Sequence, residues 1–258
     1  MKVISRIVSI LVATMTLSGV AHSAKVAGYD GYTWDQTYRD FAAAYYTLAG
    51  NAFQNLSKNF AKSDLDDVSL IVLISPPSFD IAQINILSDF VHSGGRLVLQ
   101  SDNISIFEAR DNSNAILKGI GSGIRDSSDS FDPDAYSVTS DIIGGPFTAG
   151  VSNIEYAYSS NILGGNTLVK GVSGQNLVAY EAIGSGYVFA ISDFNTVRDL
   201  VRGNYGNRTL YSNFLTATVP SQSQAVPEPT TWIMFILGFG LIGYTVRQNK
   251  RSTLPARI

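Results

Sequence analysis

The sequence predicts an α/β domain, a three-layer sandwich on a parallel sheet with an added antiparallel β portion. It is set between an N-terminal signal peptide and one C-terminal transmembrane helix. Three observations carry this. Residues 68–100 read strand, helix, strand; residues 167–192 read as strands at hairpin spacing; and both chain ends hold apolar runs with basic flanks. The expected boundaries are 1–23 for the signal, 24–219 for the extracytoplasmic domain and 220–229 for a polar linker. A membrane helix over 230–246 and a basic cytoplasmic tail over 247–258 follow.

At the N-terminus, Lys2 and Arg6 supply a positive flank, and residues 7–20 are apolar apart from Ser, Thr and Gly. Ala21 and Ser23 then place small residues at −3 and −1 before Ala24, the pattern of a secretory signal cleaved after Ser23. Export through the Sec translocon is expected. The domain that follows starts with a strand over 25–29 and a turn at Asp30-Gly31, and Thr33 and Gln36 have the spacing of a helix capping box. Trp34, Tyr38, Phe41, Tyr45 and Leu48 recur every three or four residues, which marks the buried face of that helix. Gly50-Asn51 interrupts it, and Phe53, Leu56 and Phe60 continue the same spacing.

Residues 68–75 form an unbroken apolar run, as expected of a strand covered on both faces, and Pro76-Pro77 stops it. Ile81, Ile84, Leu87, Phe90 and Val91 mark an amphipathic helix that ends at Gly94-Gly95, and residues 96–100 form the next strand. Strand, helix, strand over this length implies parallel pairing with a right-handed crossover. Strands over 167–172, 176–182 and 187–192 are separated by Ser173-Gly174-Gln175 and Gly184-Ser185-Gly186, and a helix over 207–216 closes the domain.

Composition excludes several function classes. The chain has no cysteine, so disulfides, thiolate nucleophiles and Fe–S clusters are out. Six of the eighteen Lys and Arg residues lie at the two ends. Residues 24–229 therefore hold twelve bases against all twenty-one acids, a net of −9. A domain so acidic repels phosphate backbones, and no nucleic-acid partner is expected. No cofactor and no metal are expected either.

The C-terminus carries the most specific pattern. Ser221-Gln222-Ser223-Gln224 precedes Val226-Pro227-Glu228-Pro229. The segment from Trp232 to Val246 is uncharged, and Arg247, Lys250 and Arg251 follow it. Fifteen helical residues rise only about 22 Å, so spanning the bilayer also needs residues 229–231 and a snorkelling Arg247. Basic residues after the helix keep that end cytoplasmic and the domain outside. Pro-Glu-Pro, a short apolar helix and a basic cluster, in that order over 226–251, resemble the PEP-CTERM sorting signal of bacterial envelope proteins. The resemblance implies an exosortase partner, cleavage near the motif, and passage from an inner-membrane intermediate to the cell surface or an exopolysaccharide matrix. A plain single-span anchor is the alternative. Gly238, Gly240 and Gly243 fit G-x-G-x-x-G, but with no preceding strand and no following acid they are helix-packing residues.

Residues 67–103, with 70–76, 87–91 and 94–102 as the carrying segments, resemble the class I glutamine amidotransferase-like fold, and residues 184–193 suit its closing strand. The resemblance implies an amidotransferase/flavodoxin-like three-layer sandwich. That family's reaction needs a Cys nucleophile, which this chain lacks, so its chemistry does not carry over. Ser101 follows a strand without the Gly-x-Ser-x-Gly flanks of a nucleophile elbow. The mature chain's one histidine, His92, belongs to the opposite sheet edge. Asp102, Asn103, Asp193 and Asn195 follow strands at the edge where open α/β sheets bind ligands, and Asp199 is near enough in sequence to join them. The competing reading makes them turn and helix caps. The acids from Asp126 to Asp134 lack the Gly and closing Glu of a calcium loop and read as a solvated loop. The expected function is that of an exported surface or matrix protein with a non-catalytic binding or structural domain. The alternative is an envelope carbohydrate hydrolase using Asp102 and Asp193.

Overall fold

The inner parallel strands are apolar along their length because helices cover both faces of the sheet they form. The computed structural model describes residues 23–31, 37–102, 107–132 and 136–219. The chain divides into two units, Met1–Ala217 and Thr218–Ile258, and the second lies almost wholly outside the described residues.

The first half supplies β1 (Lys25–Asp30), α1 (Thr37–Leu48), β2 (Ala52–Asn55), β3 (Val68–Ile74), α2 (Ile81–His92), β4 (Arg96–Gln100) and α3 (Phe107–Gly119). The second half is richer in strands. It contains β5 (Arg125–Asp126), β6 (Tyr136–Thr139), β7 (Ile154–Ala157), β8 (Ile162–Leu163), β9 (Asn166–Lys170), β10 (Asn176–Ile183) and β11 (Gly186–Ile191). Two helices, α4 (Asp199–Arg202) and α5 (Asn207–Thr216), close the domain. Among the described residues the main sheet runs β2-β1-β3-β4-β11-β10-β9. The first five strands are parallel, and β10 and β9 continue it antiparallel. This is a mixed α/β fold with a mostly parallel sheet and an antiparallel extension.

Alternation along the strands divides the core between two faces. Ile71, Leu73, Leu97, Leu99 and Val188 pack with Leu87 and Val91 of α2 and Ile116 and Leu117 of α3. On the other face, α1 packs on β1 and β2 while α5 packs on β3 and β4. There the Phe189 ring lies 4.4 Å from that of Phe214 and 4.8 Å from that of Phe147.

The structure corrects two expectations about the first helix. Gly50, at φ +83°, ends α1 in a left-handed cap, where the Gly50 amide donates to Thr47 O and the Asn51 amide to Tyr46 O. The chain then turns into β2, so Phe53 is a strand residue and the spacing through Leu56 and Phe60 does not continue the helix. Leu48 is 86% exposed; the buried stripe runs through Ala42 and Tyr46, whose next step falls beyond the helix end. Trp34, Thr33 and Gln36 lie outside the described residues, and so do 103–106 and 133–135.

The hairpin between β10 and β11 is docked on the end of α2. The Ser185 amide donates to His92 O at 3.1 Å, and the Tyr187 amide to Gly95 O at 3.3 Å. Gly186 sits so close that a Cβ there would overlap the carbonyl oxygens of Gly95 and Val91. Gly186→Ala is therefore expected to destabilise the fold by about 1–3 kcal/mol. Gly144→Ala, where a Cβ meets nothing within 4 Å, stays within about 0.5 kcal/mol of the parent in the same urea titration.

Candidate functional site

The carboxyl edge of the parallel sheet is where this class of fold places its ligands. β4 and β11 lie side by side there, with Gln100 paired to Ile191, so the residues two positions further on, Asp102 and Asp193, leave neighbouring strands together. Both are buried, at 3% and 0% exposure.

Asp193 is enclosed by its own chain. One carboxylate oxygen accepts from the Ala157 amide at 2.6 Å; the other accepts from the Asn195 amide at 2.7 Å and its side-chain amide at 2.8 Å. The carboxylate thereby caps the 3-10 turn Phe194–Arg198. Asn195 in turn accepts from the Tyr38 hydroxyl at 3.0 Å. Burial outweighs these donors and pushes the Asp193 carboxyl up to about 7. Asp199, also fully buried, accepts from the Asn204 and Tyr205 amides at 2.9 and 3.1 Å and so organises the turn after α4.

A further buried carboxylate was not expected from the sequence. Asp126 is 5% exposed and accepts short hydrogen bonds from the hydroxyls of Ser101 and Ser160. Its backbone is gripped by one side chain: Asn114 donates to Asp126 O at 2.9 Å and accepts from the Asp126 amide at 2.8 Å. Desolvation raises its carboxyl to about 7 against the opposing pull of the two serines and Arg110. The expected solvated loop is thus half wrong. Asp132 is ordered too, because it accepts from Tyr156, Ser173 and Gln175 at 2.7, 2.8 and 2.6 Å. Burial acts to raise its pKa, but those donors hold it below the ordinary carboxylate value. Among the described residues no three of His, Asp or Glu come together as a metal site.

Beneath this edge, Gln100 donates to the Tyr211 hydroxyl at 2.6 Å, which lies 2.8 Å from Thr196 Oγ1, and Thr196 donates to Asp193 O at 3.0 Å. The crevice between β1 and β3, where the strand order reverses, is also filled by backbone. The Gly31 amide donates to Ile74 O at 2.9 Å, and a Cβ on Gly31 would overlap the Ser75 carbonyl. Asp30 accepts from the Arg39 amide at 3.1 Å at the start of α1, so a carboxylate already occupies that helix terminus.

The sequence-predicted residues therefore fall as follows. Asp102, Asp193, Asn195 and Asp199 lie on or just beyond the carboxyl edge of the sheet, and Asn103 is outside the described residues. Ser101 faces Asp126, while His92 lies at the other edge with Nδ1 2.8 Å from Ser88 O, so the two form no pair. Ser23 and Ala24 precede β1; Ala21, residues 226–251 and the expected membrane helix at 230–246 lie outside the described residues. Among the described residues no helix is long and apolar enough to cross a membrane. Asp126 and Ser160 escaped sequence reading because a Ser-Asp-rich stretch carries no local sign of burial.

The described domain is thus an α/β fold in which Asp193, Asp126 and Asp199 are buried and held by hydrogen bonds from their own chain. In architecture it is similar to the N-terminal domain of mmIFT52, at 14% identity and a TM-score of 0.60, over 77% of this chain and 100% of that one. It is similar also to a putative GMP synthase protein from Thermoplasma acidophilum, at 12% identity and TM-score 0.51, covering 75% and 93% of the two chains. The exo-β-1,4-mannosidase Op5Man5 from Opitutaceae bacterium strain TAV5 matches at 12% identity and TM-score 0.51 over 76% of this chain, which spans about a third of the mannosidase, 36%. No curated protein matches the sequence. Residues 225–251 match the PEP-CTERM protein-sorting motif, so the chain is an exported protein bearing the signal that an exosortase sorts.

The two raised carboxyls set a pH dependence. Below the ordinary carboxylate pKa near 4, folded and unfolded states are both protonated and the contribution to stability is complete. Between about 4 and about 7 the unfolded chain loses these protons first, so stability falls as pH rises and levels off above the folded pKa. The slope is at most about 1.4 kcal/mol per pH unit for each group. Urea midpoints taken from pH 5 to pH 8 are expected to decline, and Asp126→Asn to flatten the decline by its own share.

Proposed function

We propose that this protein is delivered by its sorting tail to the cell surface or the extracellular matrix, where its α/β domain serves as a non-catalytic binding or structural module. The supporting observation is the burial of the acids at the carboxyl edge. Asp193, Asp126 and Asp199 each accept two or more hydrogen bonds from their own chain and are buried from solvent. A general acid–base pair has to reach substrate, and these groups are turned inward to hold loops together. The same geometry weighs against hydrolysis by Asp102 and Asp193.

In this reading residues 1–23 direct export through the Sec translocon, and residues 230–246 hold an intermediate in the inner membrane with residues 247–258 in the cytoplasm. Exosortase acts near Pro227, Glu228 and Pro229, and extracellular polysaccharide or another envelope component is the partner of the released domain.

The test is the intact mass of the C-terminus in membrane and released fractions of an exosortase-bearing host. A released form ending near residues 227–229 is expected, and joint replacement of Pro227, Glu228 and Pro229 by Ala should leave the long form in the membrane. Finding residues 247–258 on every molecule of the parent chain would reduce the tail to an anchor. Asp102→Asn is expected to leave surface retention unchanged.

A further inference from the structure

Among the described residues the other end of the sheet is open. At the amino edge lies a cavity of about 450 Å³, bounded by the starts of β3 and β4, the end of α2 and the end of α5. Its size falls within the roughly 300–1,000 Å³ of small-molecule sites. Val68, Ile86 and Phe90, only partly buried against the core, give it an apolar floor, and Leu215 closes one side. Gly95 makes room for this floor, since a Cβ there would overlap the Phe90 ring.

The rim is charged but balanced, with Lys62 and Arg96 set against Asp66 and Asp89. Both cations are already engaged. Lys62 Nζ lies 3.3 Å from Asp89, and Arg96 donates to the carbonyls of Phe214 and Ala217 at 2.8 and 2.6 Å while lying 5.8 Å over the Tyr187 ring. With two cations against two carboxylates, the rim offers an anionic ligand no net positive charge. A wholly apolar one would strand the Ser69 and Ser93 hydroxyls and two carboxylates without water. An uncharged ring with an apolar C–H face and hydroxyl edges satisfies both surfaces.

We propose that this cavity binds a neutral hexose unit of an extracellular polysaccharide. The C–H face of the ring lies on Phe90 and Ile86. Its hydroxyls donate to the lone pairs left on Asp66 and Asp89 and exchange hydrogen bonds with Ser69 and Ser93. The assignment deepens the binding role proposed above and rests on it, but it places recognition at the edge opposite Asp102 and Asp193.

The full chain, held in a detergent without a sugar headgroup, is titrated by calorimetry with maltohexaose, cellohexaose and dextran. Phe90→Ala and Ser69→Trp are compared with the parent, each checked for cooperative unfolding; Ser69 is exposed, so the second variant fills the cavity from outside the core. Saturable binding of at least one probe, weakened about tenfold or more in both variants, is the expected result. Binding by a folded Ser69→Trp equal to the parent's, or no binding of any probe, overturns the site. Cell fractionation separates the two ideas: a parent chain that binds no probe yet stays with the matrix retains the binding role and loses this site, and one that does neither loses both.

Discussion

The parallel pairing of β11 with β4 is the contact on which both edges of the domain depend. Arg96 pairs with Tyr187 and Gln100 with Ile191, although the intervening chain builds α3, the four short strands β5 to β8, and then β9 and β10 before returning. Closing so long a loop costs entropy that rises only slowly with length, and the buried apolar pairs between Arg96 and Gln100, Val188 with Leu97, Phe189 with Val98 and Ala190 with Leu99, offset it. Once β11 is seated, its carboxyl end brings Asp193 beside the end of β4, and its amino end presses Gly186 against Gly95. One pairing thus positions groups at both edges of the sheet.

The arrangement at the carboxyl edge follows from what a buried carboxylate needs. Removed from water without a cation, it must collect hydrogen bonds or take up a proton; Asp193 and Asp126 collect hydrogen bonds, and burial raises both carboxyls to about 7. Their donors come from separate segments: Ala157 at the end of β7, Ser160 before β8, Ser101 after β4. Each carboxyl therefore ties together chain that crosses above the sheet. Acids that serve this purpose are withdrawn from solvent. At the amino edge, among the described residues, Arg96 is spent on the end of α5 and Phe90 stays only partly buried.

Much of the fold was legible because its signals are local. The apolar run of β3, the Gly94-Gly95 end of α2, β4 and α5 were expected close to where they occur, as were the hairpin turns of β9 to β11. β2 was not, because Phe53, Leu56 and Phe60 keep helical spacing and the left-handed Gly50 that redirects the chain is a geometric event. Of the candidate site, the placing of Asp102 and Asp193 after strands was legible, but that β4 and β11 are neighbours was not, because strand order is set by tertiary pairing. The role of Asp126 was not legible either, since nothing in its neighbours distinguishes it from a solvated acid.

The sequence by itself determined where this protein is sent. The Pro-Glu-Pro, apolar and basic order over 225–251 is a linear signal, recognised in contiguous chain and independent of what the domain folds into. Tertiary structure decided which acids serve the fold and which surface remains open. Ser101, Asp126 and Ser160 are far apart in the chain and meet only after β5 and β8 have paired beside the sheet. A carboxyl's burial, and hence its charge, is a property of that meeting.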